Sequence, residues 1–251
     1  MKLKDKVAVV TGAGGGIGRA VCLRLADEGA TVAVTDLALE RAAAVAAEIQ
    51  SAGGRACGFQ MDVTHPGEVT RTFRDIVAAL GPVDILVNNA GGSAGLRGKL
   101  SRFKDADPET WAWVIDLNLH GTLRCIQAVL GRMVERRRGR IVNIASIAAE
   151  AGIVDRVDYS AAKGGVVALT RALAMEVGGD GVNVNCVSPG LISRVPETAP
   201  SDGTYLGRNG APAEVAALVA FLVSPEAGYI TGANYTIDGG RTLGPKGAGR
   251  K

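Results

Sequence analysis

A tyrosine and a lysine four residues apart form the pattern in this sequence best suited to acid–base chemistry. Tyr159 and Lys163 lie in the segment Tyr-Ser-Ala-Ala-Lys. Residues four apart share one face of a helix, so both side chains can reach one site. A tyrosine with an ordinary pKa of about 10 is a poor base at neutral pH, but a nearby ammonium stabilises the tyrosinate and lowers the pKa. The pair therefore predicts a group that exchanges a proton with a substrate.

A glycine-rich motif lies near the N-terminus, between an apolar run and an amphipathic segment. Glycines at such a turn let the backbone approach a pyrophosphate, and the free N–H groups at the helix start face the anion. The alternative is a tight turn made of small residues, but the strand–turn–helix context favours a dinucleotide site. Its members are Gly12, Gly14, Gly15, Gly16, Ile17 and Gly18.

Asp36 ends the second apolar run, close to the ~20-residue distance at which an acid bonds the ribose hydroxyls and repels a 2′-phosphate. No Arg or Lys lies between Gly12 and Gly18 or directly after Asp36. The sequence therefore predicts NAD, with NADP disfavoured. The alternative role for Asp36 is to cap the helix that follows.

Short β-branched runs alternate with helical patterns along the chain. Nearly continuous apolar strands separated by helices predict an α/β fold, a doubly wound Rossmann-type parallel sheet of seven strands with helices on both faces. Ligands then bind outside the carboxyl ends of the strands. The strands are expected at 6–11, 31–35, 55–61, 83–87, 140–145, 182–187 and 234–237, and the helices at 17–28, 39–52, 66–80, 108–137, 158–177 and 213–222.

Composition is that of an ordinary globular protein, with 251 residues, 47% apolar, 21% charged and a net charge of +3. The length is short for two domains. We expect one dinucleotide-binding and catalytic domain over 1–251, with a substrate lid at about 191–211 and a flexible tail at about 243–251.

Several other classes of protein are disfavoured. The four cysteines form no CxxC pair, which argues against a zinc site and a disulfide framework. No signal-peptide pattern or run of ~20 apolar residues is present. The basic clusters at 136–138 and 246–251 lack aromatic interleaving, which disfavours nucleic-acid binding. We expect a cytoplasmic protein with no metal, membrane or nucleic-acid partner.

Taken together and in this order, the motifs resemble those of the short-chain dehydrogenase/reductase family in its single-domain form. The resemblance runs from Lys6 to Gly240. It rests on Thr11–Gly18, Asp62-Val63, Asn88–Gly91, Asn118, Ser146, Tyr159–Lys163, Ser188-Pro189-Gly190 and Asp238-Gly239-Gly240.

The resemblance implies an oxidoreductase that transfers a hydride between a nicotinamide and a secondary alcohol or ketone, without a metal. Tyr159 would be the general acid/base, and Lys163 would lower its pKa and hold the nicotinamide ribose. Ser146 would bond the substrate oxygen, and Asn118 would support a proton-relaying water. The positive nicotinamide would also help to stabilise the tyrosinate.

The resemblance also implies the remaining cofactor contacts and the assembly. Asp62 and Val63 would flank the adenine, Asn89 would stabilise the sheet edge and the cofactor, and Pro189-Gly190 would lie beside the nicotinamide. The family most often forms tetramers, here through helices that begin near Pro108 and Asp158. Beyond the glycine-rich motif, the implied cofactor residues are Asp36, Leu37, Asp62, Val63, Asn89, Ala90, Gly91, Tyr159, Lys163, Pro189, Gly190 and Ile192.

Two departures concern the loop after Pro189. The family often places a Thr five residues beyond that Pro, where this chain has Arg194, so Ser193 could substitute or the loop could follow another path. The segment before Glu214 is also short for a lid. It suggests an open pocket, or one completed by a neighbouring subunit.

The sequence does not select one substrate class. Three candidates remain: a small cyclic alcohol, a hydroxy acid or a hydroxyacyl thioester. Guanidinium and ammonium groups in the candidate substrate loops could anchor an anionic group, or be ordinary solvated charges. Trp111 and Trp113 are interpreted as helix packing. The cations concerned are Arg97, Lys99, Arg102, Arg156 and Arg194.

Two competing functions are weighed against this prediction. An NADPH-dependent 3-oxoacyl thioester reductase is disfavoured by Asp36 and the missing basic residues. A non-catalytic dinucleotide-sensing module is disfavoured because Asn118, Ser146, Tyr159 and Lys163 are all present.

Overall fold

Seven parallel strands form one sheet at the centre of the computed structural model, which describes residues 1–193 and 200–244. The strand order is β3-β2-β1-β4-β5-β6-β7. The strands are β1 Val7–Val10, β2 Thr31–Asp36, β3 Arg55–Gln60, β4 Ile85–Asn88, β5 Gly139–Ile144, β6 Val182–Pro189 and β7 Asn234–Ile237.

Helices connect the strands and cover both faces of the sheet. They are α1 Gly16–Asp27, α2 Leu39–Ser51, α3 Pro66–Leu80, α4 Pro108–Ile115, α5 Gly121–Glu135, α6 Ala148–Ala151, α7 Val157–Val177 and α8 Pro212–Val223. All the strand pairs are parallel, which accounts for strands that are apolar on both faces.

The core consists of one apolar layer on each side of the sheet. Successive residues of β1 point to opposite faces: Val10 belongs to the layer with α1, α2 and α8, and Val9 to the layer with α3, α5 and α7. Both valines have 0% exposure, and each such side chain contributes roughly 1.5–3 kcal/mol when buried.

The strand order reverses between β1 and β4, since the chain proceeds from β1 outward to β3 and then returns to the other side of β1. At such a switch point the loops on the two sides diverge and leave a crevice at the carboxyl ends of the strands. Thr11, Asn89, Ser146 and Gly190 each follow a strand at this edge. The fold therefore brings the sequence motifs to one crevice.

The predicted sheet is confirmed, and its strand ends differ by at most two residues from expectation. The helix predicted over 108–137 runs without a break from Pro108 to Glu135, but it is not regular. Between α4 and α5 lies a wider turn, Asp116–His120, in which the Gly121 N–H donates to the Asp116 carbonyl five residues back. The short helix α6 was also not predicted.

A buried carboxylate fastens the opposite edge of the sheet. Asp84 precedes β4, and its Oδ2 accepts a hydrogen bond from the Val7 amide at 3.1 Å. Its Oδ1 accepts from Arg136 Nη1 at 3.1 Å and pairs with Arg138 Nη2 at 2.7 Å. Asp84 thus joins the starts of β1, β4 and β5, and two arginines of the 136–138 cluster have structural partners.

Two further features concern classes of protein considered from the sequence. Within 1–193 and 200–244, none of the helices is long and apolar enough to cross a membrane. In the same residues, no group of three His, Cys, Asp or Glu side chains is arranged to hold a metal ion.

Candidate active site

A cleft of about 620 Å³ opens at the carboxyl ends of the strands, over the switch point. It runs from the glycine-rich loop to the tyrosine–lysine pair, and its length suits an extended ligand. The predicted site residues on its wall are Gly12, Ile17, Asp36, Leu37, Asp62, Val63, Asn89, Ala90, Gly91, Ser146, Tyr159, Lys163, Pro189, Gly190 and Ile192.

The glycine-rich loop is held against the sheet by hydrogen bonds that only small residues permit. The Gly14 amide donates to Asp36 Oδ2 at 2.8 Å, and a Cβ at Gly14 would lie 2.6 Å from Arg41 Cβ. A Cβ at Gly18 would lie 2.6 Å from Asn89 Nδ2, and one at Gly12 would lie 2.7 Å from Ala90 Cα. Any larger side chain would displace the loop from the strand ends.

This cradle fits a dinucleotide. Gly12 lines the cleft, whereas Gly14, Gly15, Gly16 and Gly18 form the turn behind the wall and the start of α1. The first amides of α1 supply the partial positive charge that a pyrophosphate needs. A Cβ at Gly16 would meet nothing within 4 Å.

Asp36 lies at the end of β2 with its carboxylate directed into the loop. Besides the Gly14 amide, it accepts a hydrogen bond from the Ala38 amide at 3.2 Å. Its carboxylate is therefore partly engaged by the backbone, while the residue still lines the cleft; α2 itself has Ala38 as its N-cap and no side-chain capping bond.

Arg41 is a cleft residue that the sequence reasoning missed. Its Nε lies 4.0 Å from Asp36 Oδ1, and its side chain is 62% exposed. A Cβ at Gly15 would lie 3.2 Å from Arg41 Nη2. Arg41 lies in the first turn of α2, beyond the glycine loop and the position directly after Asp36. A helical turn brings it back over the loop, so the signal in the sequence is a cation one turn into the helix that follows the acid.

Asn89 positions the loop. Its Nδ2 donates to the carbonyls of Thr11 and Gly12, both at 2.9 Å. The amides of Asn89 and Ala90 donate to Thr11 Oγ1 at 3.0 and 2.9 Å. These bonds join the ends of β1 and β4 at the edge of the sheet.

Asp62 and the Pro189–Gly190 turn form the two ends of the cleft. Burial raises the pKa of Asp62, but hydrogen bonds from Thr64 and the charge of His65 outweigh it, and the pKa lies below its ordinary value. At the other end, a Cβ on Gly190 would lie 2.6 Å from Asp238 Cβ. The Asp-Gly-Gly motif at 238–240 therefore packs against the Pro189–Gly190 turn.

Lys163 lies in α7 with its side chain buried in the cleft wall. The residue is 3% exposed, and its Nζ donates to the Ile144 carbonyl at 2.7 Å. Nζ lies 5.7 Å from the centre of the Tyr159 ring. Burial lowers the pKa of Lys163 to about 8, since the charged form loses its hydration there.

Tyr159 and Ser146 meet on the cleft wall. Both residues line the cleft, and Ser146 Oγ accepts a hydrogen bond from the Ala148 amide at 3.1 Å. Burial raises the pKa of Tyr159, whereas the nearby Ser146 hydroxyl and the charge of Arg156 oppose that rise. The sequence reasoning expects a lowered pKa; in the polypeptide itself burial is the larger effect.

Asn118 lies at the wider turn between α4 and α5 and accounts for it. Its Nδ2 donates to the Val114 carbonyl, one turn back, and to the Gly92 carbonyl, both at 2.7 Å. Its Oδ1 accepts from the Gly92 amide at 3.0 Å. A side chain that bonds its own helix in this way competes with the backbone ladder. A Cβ at Gly91 would lie 2.5 Å from Asn118 Oδ1 and 3.0 Å from Lys163 Nζ.

The interpretation of the two tryptophans as helix packing is wrong for Trp113. It lines the cleft together with Leu96 and Leu117. The Arg97 guanidinium carbon lies 4.0 Å from the centre of the Trp113 ring. Trp111 lies outside the cleft, beside Asp107 and Val157.

The lid expected at 191–211 lies partly within the described residues, while Arg194 and most of the tail at 243–251 lie outside them. The Ser193 amide donates to the Gly210 carbonyl and the Gly210 amide to the Leu191 carbonyl, both at 2.8 Å. Arg208 bonds both oxygens of Glu214, at 2.9 and 2.7 Å. The base of the lid is thus closed by backbone pairing and an ion pair.

A doubly wound sheet with a dinucleotide cradle and a Tyr–Ser–Lys cluster at its switch point defines the class of nicotinamide-dependent oxidoreductases. Residues 6–202 match the family model described as short chain dehydrogenase. The chain belongs to the short-chain dehydrogenase family, and it is an oxidoreductase that acts on CH–OH groups.

Similar proteins act on diverse substrates. The chain is 39% identical to (2S)-[(R)-hydroxy(phenyl)methyl]succinyl-CoA dehydrogenase subunit BbsD of Thauera aromatica, covering 97% of this chain and 99% of that one. It is 36% identical to a 3-oxoacyl-[acyl-carrier-protein] reductase of Thermotoga maritima, covering 97% and 100%. It is 37% identical to cyclohexanol dehydrogenase of Acinetobacter, covering 96% of each.

A solved structure has the same fold. It is described as ribose-5-phosphate isomerase from Brucella melitensis 16M, with a TM-score of 0.87 and 36% identity over 96% of this chain and 94% of that one. Family and fold together imply a nicotinamide dinucleotide as the cofactor.

Proposed function

We propose that this enzyme is an NAD-dependent dehydrogenase that interconverts a secondary alcohol and a ketone, with Tyr159 as general acid/base. The observation that carries the proposal is the convergence of Tyr159, Ser146 and Lys163 on one wall of the switch-point cleft. The nicotinamide, when bound, supplies the acceptor or donor of the hydride. The chain supplies the orientation and the proton.

Each side chain has a task that follows from its contacts. In alcohol oxidation the substrate carbon loses a hydride and its oxygen loses a proton, which the Tyr159 oxygen accepts. Ser146, which lines the same wall as Tyr159, donates to the substrate oxygen and holds it beside the phenol. Lys163 places a buried positive charge near the ring and opposes the effect of burial on the tyrosinate.

Asn118 and the apolar wall prepare the site without taking a proton directly. Asn118 holds the Gly92 backbone by two hydrogen bonds, which keeps the Gly91–Gly92 segment against Lys163. We propose that this region supports a water that relays protons from the lysine. Leu117 and Trp113 exclude bulk solvent from the reacting carbon.

Replacement of Tyr159 tests the proton-transfer role. Tyr159→Phe removes only the hydroxyl, so the variant should bind NAD as the wild type does and lose turnover by at least ~100-fold, the usual size of a general acid/base contribution. Cofactor binding is measured by fluorescence titration, and turnover on a panel of cyclic alcohols, hydroxy acids and hydroxyacyl thioesters. Near-normal turnover of this variant would refute the assignment.

We propose NAD over NADP because Asp36 borders the half of the cleft expected to hold the adenine, where its carboxylate would repel a 2′-phosphate. Asp36→Ala should therefore narrow the preference for NAD over NADP, measured as the ratio of kcat/KM for the two cofactors. An unchanged ratio would mean that selectivity lies elsewhere. The matched control is Asp27→Ala at the end of α1, remote from the cleft.

An NADPH-dependent 3-oxoacyl thioester reductase is the second candidate, and one observation favours it. Arg41 lies 4.0 Å from Asp36 and borders the cleft, so its guanidinium could accept a 2′-phosphate. Arg41→Ala distinguishes the two candidates. NAD use should stay within about twofold if NAD is the cofactor, whereas NADP affinity should fall at least tenfold if Arg41 binds the phosphate.

We also propose a cytoplasmic homotetramer built from single-domain subunits. In its support, an apolar groove of about 560 Å³ lies between α5 and α7, with Leu123, Leu130 and Leu169 on its walls. Leu123 is 43% exposed, which a partner helix would cover. Light scattering gives the subunit number, and Leu123→Glu should shift a tetramer toward smaller species.

A further inference from the structure

The substrate half of the cleft has an apolar wall. Besides Tyr159 and Ser146, the described residues that line the cleft include the apolar side chains of Leu96, Trp113 and Leu117. Such side chains accommodate the hydrocarbon part of a substrate. A charged group of the substrate is then expected next to a cation beside these side chains.

Arg97 adjoins the cleft through Trp113, which is one of the lining side chains. It ends a short turn, Ala94–Arg97, in which Ser93 Oγ accepts from the Gly95 amide at 3.4 Å. Gly98 follows with φ +67°, a conformation that suits glycine and stops the turn there. The guanidinium then stacks on Trp113 at 4.0 Å. A stacked guanidinium keeps its N–H donors in its own plane, free to bind a second group.

Among the residues that the structure describes, Arg97 differs from the lysines of its loop in having no carboxylate within ion-pair distance. Lys99 pairs with Asp107 and Lys104 with Asp105, each at 3.0 Å. Within 1–193 and 200–244, no carboxylate lies within 4.0 Å of Arg97. Arg156, near enough to Tyr159 for its charge to act on the phenol, adds to the positive potential on this side. The acidic groups of the loop itself, Asp105 and Asp107, are paired with these lysines.

We propose that Arg97 binds a carboxylate of the substrate, with Trp113 as the platform that orients it. The substrate class is then a secondary alcohol or ketone that carries a carboxylate at the far end of an apolar spacer. This inference rests on the proposed function, since it assigns the other end of the same substrate. In this arrangement Trp113 contacts the apolar spacer and Arg97 binds the carboxylate. Tyr159 and Ser146 contact the reacting oxygen at the other end of the substrate.

Binding can be followed directly because the chain contains two tryptophans. In a Trp111→Phe background, Trp113 is the remaining fluorophore. Hexanoate, titrated into this protein with saturating NAD⁺, should change the Trp113 emission, whereas hexanamide, its uncharged analogue, should bind at least tenfold more weakly. Arg97→Leu should weaken hexanoate binding by tenfold or more and leave hexanamide unaffected.

The matched control is Arg102→Leu, on the same loop but without contact to the Trp113 ring. It should bind hexanoate as the wild type does. Arg97→Lys keeps the charge but loses the planar fork, and should recover only part of the affinity. Equal binding of hexanoate and hexanamide, or equal binding of hexanoate by the wild type and Arg97→Leu, would overturn the proposal.

Turnover provides a second measurement. Methyl keto acids of increasing length, from 4-oxopentanoate to 7-oxooctanoate, should show a maximum of kcat/KM at one spacer length, with the methyl esters at least tenfold slower. Arg97→Leu should abolish the advantage of the acids over the esters. Tyr159→Phe should lose turnover and keep hexanoate binding, so failure of the carboxylate site and failure of the catalytic assignment give different results.

Discussion

Replacement of Lys163 by Met should make the protein more stable while it destroys activity. Methionine has a similar length and no charge, so it removes the buried ammonium from a site that is 3% exposed. The pKa of Lys163 is lowered from 10.5 to about 8 by burial, and a displacement of this size corresponds to about 3 kcal/mol. The lost hydrogen bond to the Ile144 carbonyl offsets about 1 kcal/mol of that gain.

The pH dependence separates these contributions. Because the folded-state pKa is about 8, below the ordinary value, the unfolded chain alone holds the proton between pH 8 and 10.5. Stability therefore rises with pH across that window, and the full cost of the buried charge is present below it. The neutral Lys163 amine still donates to the Ile144 carbonyl. The change of the free energy of unfolding with pH therefore measures the cost of the buried charge alone.

The assay is urea unfolding of the wild type and Lys163→Met between pH 7 and pH 10.5. At pH 7 the variant should be more stable by about 2 kcal/mol, and its advantage should disappear, then reverse, as the pH rises through 8 to 10.5. Lys104→Met, at an exposed lysine, should change stability by less than about 0.5 kcal/mol. A wild-type–variant difference that stays constant over this range would refute the reasoning.

Three further predictions concern stability, steric fit and thiol chemistry. Asp84→Ala leaves two arginines and the Val7 amide without their partner and should lower the free energy of unfolding by about 3–5 kcal/mol. Calorimetry should show this as a fall in Tm of roughly 6–20 °C. A fall below about 3 °C would contradict the role of Asp84 in joining the three strands. Gly91→Ala places a Cβ 2.5 Å from Asn118 Oδ1. It should lower kcat by at least ~100-fold and leave the circular dichroism spectrum unchanged. Full activity would show that the loop shifts to accommodate the methyl group without disturbing the site. Of the four free cysteines, Cys57 is half-buried while the others are buried, so one thiol should react with a thiol reagent in the native protein. Cys57→Ala should abolish that reaction; a fast thiol that persists in this variant would contradict the burial pattern.

The sheet and the site motifs could be predicted because they depend on local pattern. Apolar runs of four to eight residues are visible in the sequence, and parallel pairing brings their carboxyl ends together regardless of loop detail. Asp36, Ser146 and Gly190 follow such runs, so their convergence follows from the topology. Tyr159 and Lys163 needed only the repeat of the helix.

Features that depend on tertiary contacts could not be found in this way. The division between α4 and α5 follows from the bonds of Asn118 to Gly92, a loop residue far away in sequence. Trp113 has the spacing of a packing residue, and only the path of the loop after Gly91 shows that it faces the cleft. The pKa of Tyr159 depends on burial, which sequence spacing does not report.

The wider turn at Asp116–His120 also bears on how this chain can change its length. Such a turn holds one residue more than a regular helix, so it behaves as an insertion within α4–α5. Loss of a single residue there would restore a regular hydrogen-bond ladder and preserve the fold, but it would rotate Asn118 away from Gly92. Homologues that lack one residue between Pro108 and Gly121 should therefore fold but lack the activity. The number of residues between these two positions thus distinguishes active enzymes from inactive ones.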